Sequence, residues 1–105
     1  MFDFFKNLVG ESNNTALETA VKSGAFLVDV RTPAEFSEGH VKGSVNIPLD
    51  TLPSNLKKFK EKNQIVVFCR SGNRSGQAKS FLEQNGFNNV INGGTWQNVN
   101  QFVQN

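Results

Sequence analysis

Short apolar runs alternate along the chain with longer segments in which apolar residues recur every three or four positions. The apolar runs predict four strands, at Ala25–Val30, Ser44–Ile47, Gln64–Cys69 and Asn89–Ile91. The segments with helical spacing predict helices at about Thr15–Ser23, from Pro33 to Gly39, irregularly over Asp50–Lys60, at about Arg74–Asn85 and after Thr95. Strands that alternate with helices in this way indicate an α/β fold with a small parallel sheet flanked by helices on both faces.

The segment Gln64–Cys69 is the strongest strand in the sequence. It holds four apolar residues in a row, Ile65, Val66, Val67 and Phe68. A parallel strand that is buried on both faces has such a continuous run rather than an alternating pattern. We therefore expect this strand at the centre of the sheet. Because open α/β sheets bind ligands at the carboxyl ends of their strands, we expect the functional site near Cys69.

Local signals predict where the helices begin and end. Two S/T-x-x-E pairs, Thr15 with Glu18 and Thr32 with Glu35, predict capping boxes. Pro33 stands at a first helical position, which suits its fixed φ angle. The glycines that predict helix ends are Gly24, Gly39 and Gly86.

The last helix is predicted from a cap and an apolar face. Thr95 is a suitable N-cap residue, and the apolar residues behind it at helical spacing are Trp96, Val99, Phe102 and Val103. The preceding pair Gly93–Gly94 predicts a tight turn that brings this helix close to the sheet.

Size and charge exclude several classes of protein. A chain of 105 residues is too short for two independent cores, so we expect one domain, which we take to be a monomer. The formal net charge of +2 is too small to indicate a nucleic-acid partner. The one cationic run, Lys57, Lys58, Lys60 and Lys62, fits a solvated helix end.

The N-terminal residues predict neither a signal peptide nor a membrane span. Asp3 and Lys6 interrupt the apolar residues of Met1–Val9, so we expect a cytoplasmic protein without a membrane partner. Phe2, Phe4 and Phe5 leave open a short amphipathic contact with a membrane or partner, but a packed or frayed terminus is the simpler interpretation.

Cys69 is the only cysteine of the chain, and the chain has a single histidine. An internal disulfide is excluded, and too few soft ligands remain for a structural zinc site. We predict no metal and no organic cofactor. Whatever Cys69 does, it does as a thiol or a thiolate.

The residues after Cys69 have the composition of an anion-binding loop, Arg70-Ser71-Gly72-Asn73-Arg74-Ser75. A loop that enters a helix N-terminus turns several backbone N–H groups toward one point and favours negative charge there. We expect these groups, together with the charges of Arg70 and Arg74, to lower the pKa of Cys69 and to favour a nucleophilic thiolate. From spacing alone, a buried and inert cysteine at a strand end stays open as the alternative.

Four segments of the chain resemble motifs of the rhodanese family, in the family's order. Cys69–Arg74 resembles its six-residue active-site loop, and Asp29–Phe36 resembles its strand-end motif. Gly39–Pro48 is similar to the family's G-H-I-x-G-A-x-N-I-P stretch. Gly93-Gly94 followed by Trp96 resembles a late Gly-Gly-aromatic element.

The resemblance implies a rhodanese-like fold and a thiosulfate sulfurtransferase. Residues 1–13 are then an N-terminal segment and residues 14–105 the domain. Cys69 would accept a sulfane sulfur from a thiosulfate- or persulfide-type donor and pass it to cyanide or a thiol. The residues expected to bind the substrate are Arg70, Ser71, Gly72, Asn73, Arg74 and Arg31.

Three other functions are alternatives to this one. A cysteine phosphatase or arsenate reductase needs an arginine six positions after the cysteine, where this chain has Ser75. A non-catalytic binding module of the same fold would usually lack the cysteine. A persulfide carrier that serves a protein acceptor would keep the whole loop, and the sequence does not separate it from a small-molecule enzyme.

The polar residues at the end of the first strand have a simpler interpretation. We expect Asp29, Arg31 and Glu35 to form a paired structural network, with Arg31 the one most suited to contact substrate. His40 is interpreted as structural, since sulfur transfer to a thiolate requires no proton abstraction.

Overall fold

A computed structural model describes residues 14–103. The helices are α1 at residues 14–22, α2 at Pro33–Glu38, α3 at Asn73–Gln84 and α4 at Trp96–Asn100. The strands are β1 at Phe26–Asp29, β2 at Val45–Asn46, β3 at Ile65–Cys69 and β4 at Val90–Thr95, and a 3-10 segment covers Leu49–Phe59. The predicted N-terminal segment, 1–13, lies outside the described residues, so the division of the chain into segment and domain stays a prediction.

The four strands form one parallel sheet in the order β2-β1-β3-β4. The apolar strand β3 is central, and each of its five residues is buried. Its side chains alternate between two cores, as the two-residue period of a strand requires. Ile65, Val67 and Cys69 pack with the 3-10 segment and α3, whereas Val66 and Phe68 pack with α1 and α4. The predicted fold class, a parallel sheet covered on both faces, is confirmed.

Most of the predicted helix ends are confirmed. Thr32 caps α2 through a complete capping box with Glu35, and Pro33 follows it at the first helical position. Gly24 and Gly86 end their helices with φ angles of 90° and 93°, which a side chain would strain. The side-chain oxygen of Thr95 accepts a hydrogen bond from the Asn98 N–H at the start of α4.

The capping box predicted at Thr15 is wrong. Residues 14 and 15 are already helical, so the N-cap of α1 does not lie at Thr15. Glu18 instead accepts a hydrogen bond at 2.8 Å from Lys22, one turn further along the helix. The spacing of apolar residues locates a helix but does not determine its first turn, which explains the error.

Gly93 and Gly94 lie inside β4 rather than in the predicted turn. Val67 pairs with Asn92 but the next residue, Phe68, pairs with Gly94, so Gly93 is an extra residue that forms a bulge. A Cβ atom at Gly93 would lie 2.5 Å from Cγ2 of Val99 on α4. The expected close approach of the last helix is therefore present, although a strand bulge produces it.

The carboxyl ends of β1, β3 and β4 meet at one edge of the sheet. Asp29 is paired with Phe68, and Cys69 is paired with Thr95. The helices α2, α3 and α4 each begin at this edge, within a few residues of a strand end. Within residues 14–103 no helix is long and apolar enough to cross a membrane.

Candidate active site

Cys69 is the last residue of the central strand, and its thiol is fully buried. Only Arg70, Ser71 and Gly72 separate it from α3. Gly72 is the N-cap of α3 and has φ 97° and ψ −13°, a left-handed conformation that a residue with a Cβ atom adopts only under strain. This conformation turns the chain back over the strand end, so that the N–H groups at the start of α3 face the sulfur.

Hydrogen bonds surround the sulfur of Cys69. The N–H of Gly72 donates to Sγ at 3.0 Å, and the N–H of Ser75 donates at 3.4 Å. The Ser75 hydroxyl lies 3.5 Å from Sγ. Burial of the thiol raises its pKa, but hydrogen bonds from Ser75, Gly72 and Ser71 together outweigh burial, so the pKa of Cys69 is lowered. The predicted direction is confirmed, with hydrogen bonds rather than the arginine charges as its main cause.

Arg74 forms a bidentate ion pair with Glu35. Its Nη1 lies 2.8 Å from Oε1 and its Nη2 lies 3.0 Å from Oε2. The Arg74 hydrogen bond, aided by the Thr32 N–H, lowers the pKa of Glu35 to about 2, and the Glu35 hydrogen bond raises the pKa of Arg74. This pair connects α2 to the first turn of α3. The Arg74 side chain is therefore engaged by Glu35, next to the loop where it was expected to bind substrate.

Arg31 and Asp29 form the buried part of the predicted network. Nη2 of Arg31 lies 2.7 Å from Oδ2 of Asp29 and also donates to the carbonyl oxygen of Gly39 at 2.7 Å. The guanidinium carbon lies 5.0 Å from the ring centre of Trp96, within range of a cation–π contact. Because a buried pair is costly to break, these contacts hold the segment after β1 and the first residue of α4 at the same edge.

Asn92 is a site residue that sequence reasoning missed. Its Oδ1 accepts a hydrogen bond from the Ser75 hydroxyl at 2.7 Å and another from the Gly94 N–H at 2.9 Å. Through Ser75 it connects the bulge in β4 with the surroundings of Cys69. No local pattern marks this residue, because its role depends on the pairing of β4 with β3.

A cleft of about 210 Å³ opens beside the cysteine loop. Its lining residues are Arg31, Glu35, Glu38, Gly39, Arg70, Trp96 and Gln97. Two of the predicted binding residues, Arg31 and Arg70, therefore border the same space. Ser71 and Asn73 are exposed and do not line this cleft, although the Ser71 backbone contributes to the lowered pKa of Cys69.

The contacts of His40 fit the structural interpretation. Its Nδ1 lies 2.8 Å from the carbonyl oxygen of Phe36, and its ring stacks on the Phe36 ring with the centres 3.8 Å apart. A carbonyl oxygen only accepts hydrogen bonds, so Nδ1 carries the proton. Among residues 14–103, no group of three or more His, Cys, Asp or Glu side chains is placed to hold a metal ion.

Comparisons with known proteins identify the family of this chain. The family described as Rhodanese-like domain matches residues 13–96. A sulfurtransferase of Allochromatium vinosum is 33% identical over 82 residues, which cover 78% of this chain and 77% of that protein. Thiosulfate sulfurtransferase PspE of Escherichia coli is 36% identical over 74 residues, or 69% and 71% of the two chains. A rhodanese-related protein of Thermoplasma volcanium, solved by crystallography, has a TM-score of 0.69 at 30% identity and covers 87% of this chain and 91% of its own.

Proposed function

Since this chain belongs to the rhodanese-like domain family, we propose that it is a sulfurtransferase that carries a sulfane sulfur as a persulfide on Cys69. The donor is a thiosulfate- or persulfide-type compound, and the acceptor is cyanide or a thiol. One observation carries the proposal most directly: backbone N–H groups of Gly72 and Ser75 point at the sulfur of a cysteine at the end of the central strand.

The reaction proceeds in two half-reactions that balance without a cofactor. The Cys69 thiolate attacks the outer sulfur of thiosulfate, a new S–S bond forms, and the old S–S bond breaks with its electron pair leaving on sulfite. Cyanide or a thiolate then attacks the outer sulfur of the persulfide. The S–S bond to Cys69 breaks, its electron pair restores the thiolate, and thiocyanate or a new persulfide leaves.

The loop stabilises negative charge in both halves of this cycle. The thiolate and the persulfide are anions, and N–H groups that already point at the site need no reorganisation when the charge moves from the inner to the outer sulfur. The start of α3 adds the positive end of a helix dipole. Arg70 is exposed at the rim of the cleft, where we expect it to attract an anionic donor.

A phosphatase-like reaction is less well supported by the geometry. Such an enzyme uses its loop arginine to bind two oxygens of a phosphate. In this chain both terminal nitrogens of Arg74 donate to Glu35, and the residue six positions after the cysteine is Ser75, whose hydroxyl lies 2.7 Å from Asn92.

The partners and the compartment form part of the proposal. We propose a monomer that uses small-molecule donors and acceptors or a protein sulfur acceptor, without nucleic acid and without a membrane. A cytoplasmic location suits this chemistry because a reducing compartment keeps a lone thiol free to react.

Intact-mass spectrometry tests the proposal directly. We expect the purified protein to gain the mass of one sulfur atom after thiosulfate and to lose it, as thiocyanate, after cyanide. Cys69→Ser removes the only thiol, so the variant is expected to show neither change while its urea unfolding curve stays close to that of the wild type. Turnover by this variant would refute the mechanism. A wild-type protein that reacts with iodoacetamide but takes no sulfur from thiosulfate would favour a carrier loaded by a protein donor.

A further inference from the structure

Two charged side chains in the cleft have no partner of opposite charge among residues 14–103. Arg31 is paired with Asp29, and Glu35 is paired with Arg74. The remaining charges of the lining are Arg70 and Glu38, which are both exposed and form no ion pair within the described part of the chain. The cleft therefore offers one cation and one anion to a ligand.

This pattern of charges does not suit a small inorganic dianion alone. Arg70 attracts such an anion, but the carboxylate of Glu38 lines the same cleft and repels it. The space of about 210 Å³ also admits a molecule larger than thiosulfate. A ligand with an anionic sulfur group and a separate ammonium group satisfies both free charges.

We propose that the preferred sulfur donor is a zwitterionic organic compound, with an anionic sulfur group at Arg70 and the loop N–H groups and an ammonium group at Glu38. Amino-acid persulfides and aminoalkyl thiosulfonates belong to this class. The inference rests on the sulfurtransferase function proposed above and specifies its substrate. Glu38 then selects the donor, while Cys69 and its loop perform the chemistry.

With such a donor, the transfer step forms and breaks the same kinds of bond as with thiosulfate. The Cys69 thiolate attacks the outer sulfur of a thiosulfonate, the S–S bond of the donor breaks, and its electron pair leaves on the sulfinate. With an amino-acid persulfide the leaving group is the amino-acid thiolate. In both cases the ammonium group stays on the part of the donor that departs.

A matched pair of donors isolates the role of the ammonium group. Thiotaurine, an aminoethanethiosulfonate, and ethanethiosulfonate share the reacting group, and only thiotaurine carries the ammonium. We would measure kcat/KM for each with cyanide as acceptor and divide it by the rate of the uncatalysed reaction of the same donor with cyanide. The quantity compared between variants is the ratio of these two corrected values.

Glu38→Gln is the test variant, and Glu61→Gln is its control. Both substitutions remove one negative charge from an exposed side chain, but Glu61 precedes β3 and lies at the amino ends of the strands, away from the cleft. We expect Glu38→Gln to lower the ratio about two- to five-fold, the size expected for a partly exposed ion pair, and Glu61→Gln to leave it unchanged. Arg70→Gln is expected to lower both corrected values by a similar factor, because both donors carry the anion.

The outcomes separate this inference from the function on which it rests. If both donors load Cys69 and Glu38→Gln leaves the ratio unchanged, the sulfurtransferase function stands and the zwitterionic donor is wrong. The assignment is also wrong if Glu61→Gln lowers the ratio as much as Glu38→Gln does. If neither donor places a sulfur on Cys69 but thiosulfate does, this inference is wrong and the sulfurtransferase function stands; if thiosulfate places none there either, loading from a small-molecule donor is wrong as well.

Discussion

Protonation of Glu35 should remove the ion pair that joins α2 to α3. Its bonds to Arg74, at 2.8 and 3.0 Å, hold the pKa of Glu35 at about 2, below its ordinary value of 4.5. Because the unfolded chain has the higher pKa, it takes up the proton first as the pH falls. The stabilisation is therefore fully present above about pH 5.5 and is lost as the pH falls toward 2.

The size of this stabilisation follows from the pKa shift of Glu35 and from the solvent exposure of the ion pair. A shift from 4.5 to about 2 corresponds to an upper limit of about 3 kcal/mol in the free energy of unfolding. The side chains of Arg74 and Glu35 are 32% and 22% exposed. Solvent screening therefore reduces the expected contribution to about 1–2 kcal/mol.

Urea unfolding of three proteins at pH 7 and pH 3 tests this reasoning. We expect Glu35→Gln to be about 1–2 kcal/mol less stable than the wild type at pH 7 and the difference to shrink to less than about half at pH 3. Glu83→Gln is the control, because it breaks the exposed pair with Lys79, for which we expect only about 0.3–0.5 kcal/mol. An equal difference at both pH values, or a Glu35→Gln variant no less stable than Glu83→Gln, would refute the reasoning.

Three further predictions concern the loop, the bulge and the rim of the cleft. Ser75→Ala should raise the pKa of Cys69, measured as the pH midpoint of its alkylation by iodoacetamide, and an unchanged midpoint would count against the hydrogen bond. Gly93→Ala should lower the free energy of unfolding in urea by about 1–3 kcal/mol, because the new methyl group meets Val99 on α4. Gly76→Ala is the control: its Cβ makes only ordinary contacts, so the free energy of unfolding should stay the same or rise by up to about 1 kcal/mol. Equal effects of the two substitutions would contradict the bulge geometry. Arg70→Ala should lower kcat/KM for thiosulfate about two- to five-fold, and a loss that persists undiminished in high salt would speak against an electrostatic role.

Features that depend on neighbouring residues were predictable from the sequence. The run Ile65–Phe68 identified the central strand, because burial on both faces demands continuous apolar residues. Thr32 and Glu35 identified the start of α2, because a capping box needs only residues three positions apart. The position of Cys69 between a strand and a helix N-terminus, and the direction of its pKa shift, followed from the same local order.

The tertiary structure decided which distant side chains meet. Glu35 and Arg74 are 39 positions apart, and their pairing, which engages a side chain expected to bind substrate, depends on how α2 is placed over the start of α3. Asn92 reaches Ser75 because β4 pairs with β3 in a register that places Asn92 beside Val67, and no local pattern in the sequence marks that register. Within residues 14–103, Arg70 and Glu38 are left without an ion pair because Arg31 and Glu35 pair with Asp29 and Arg74. Local patterns determine elements, whereas strand register and packing determine partners, since those depend on the whole chain.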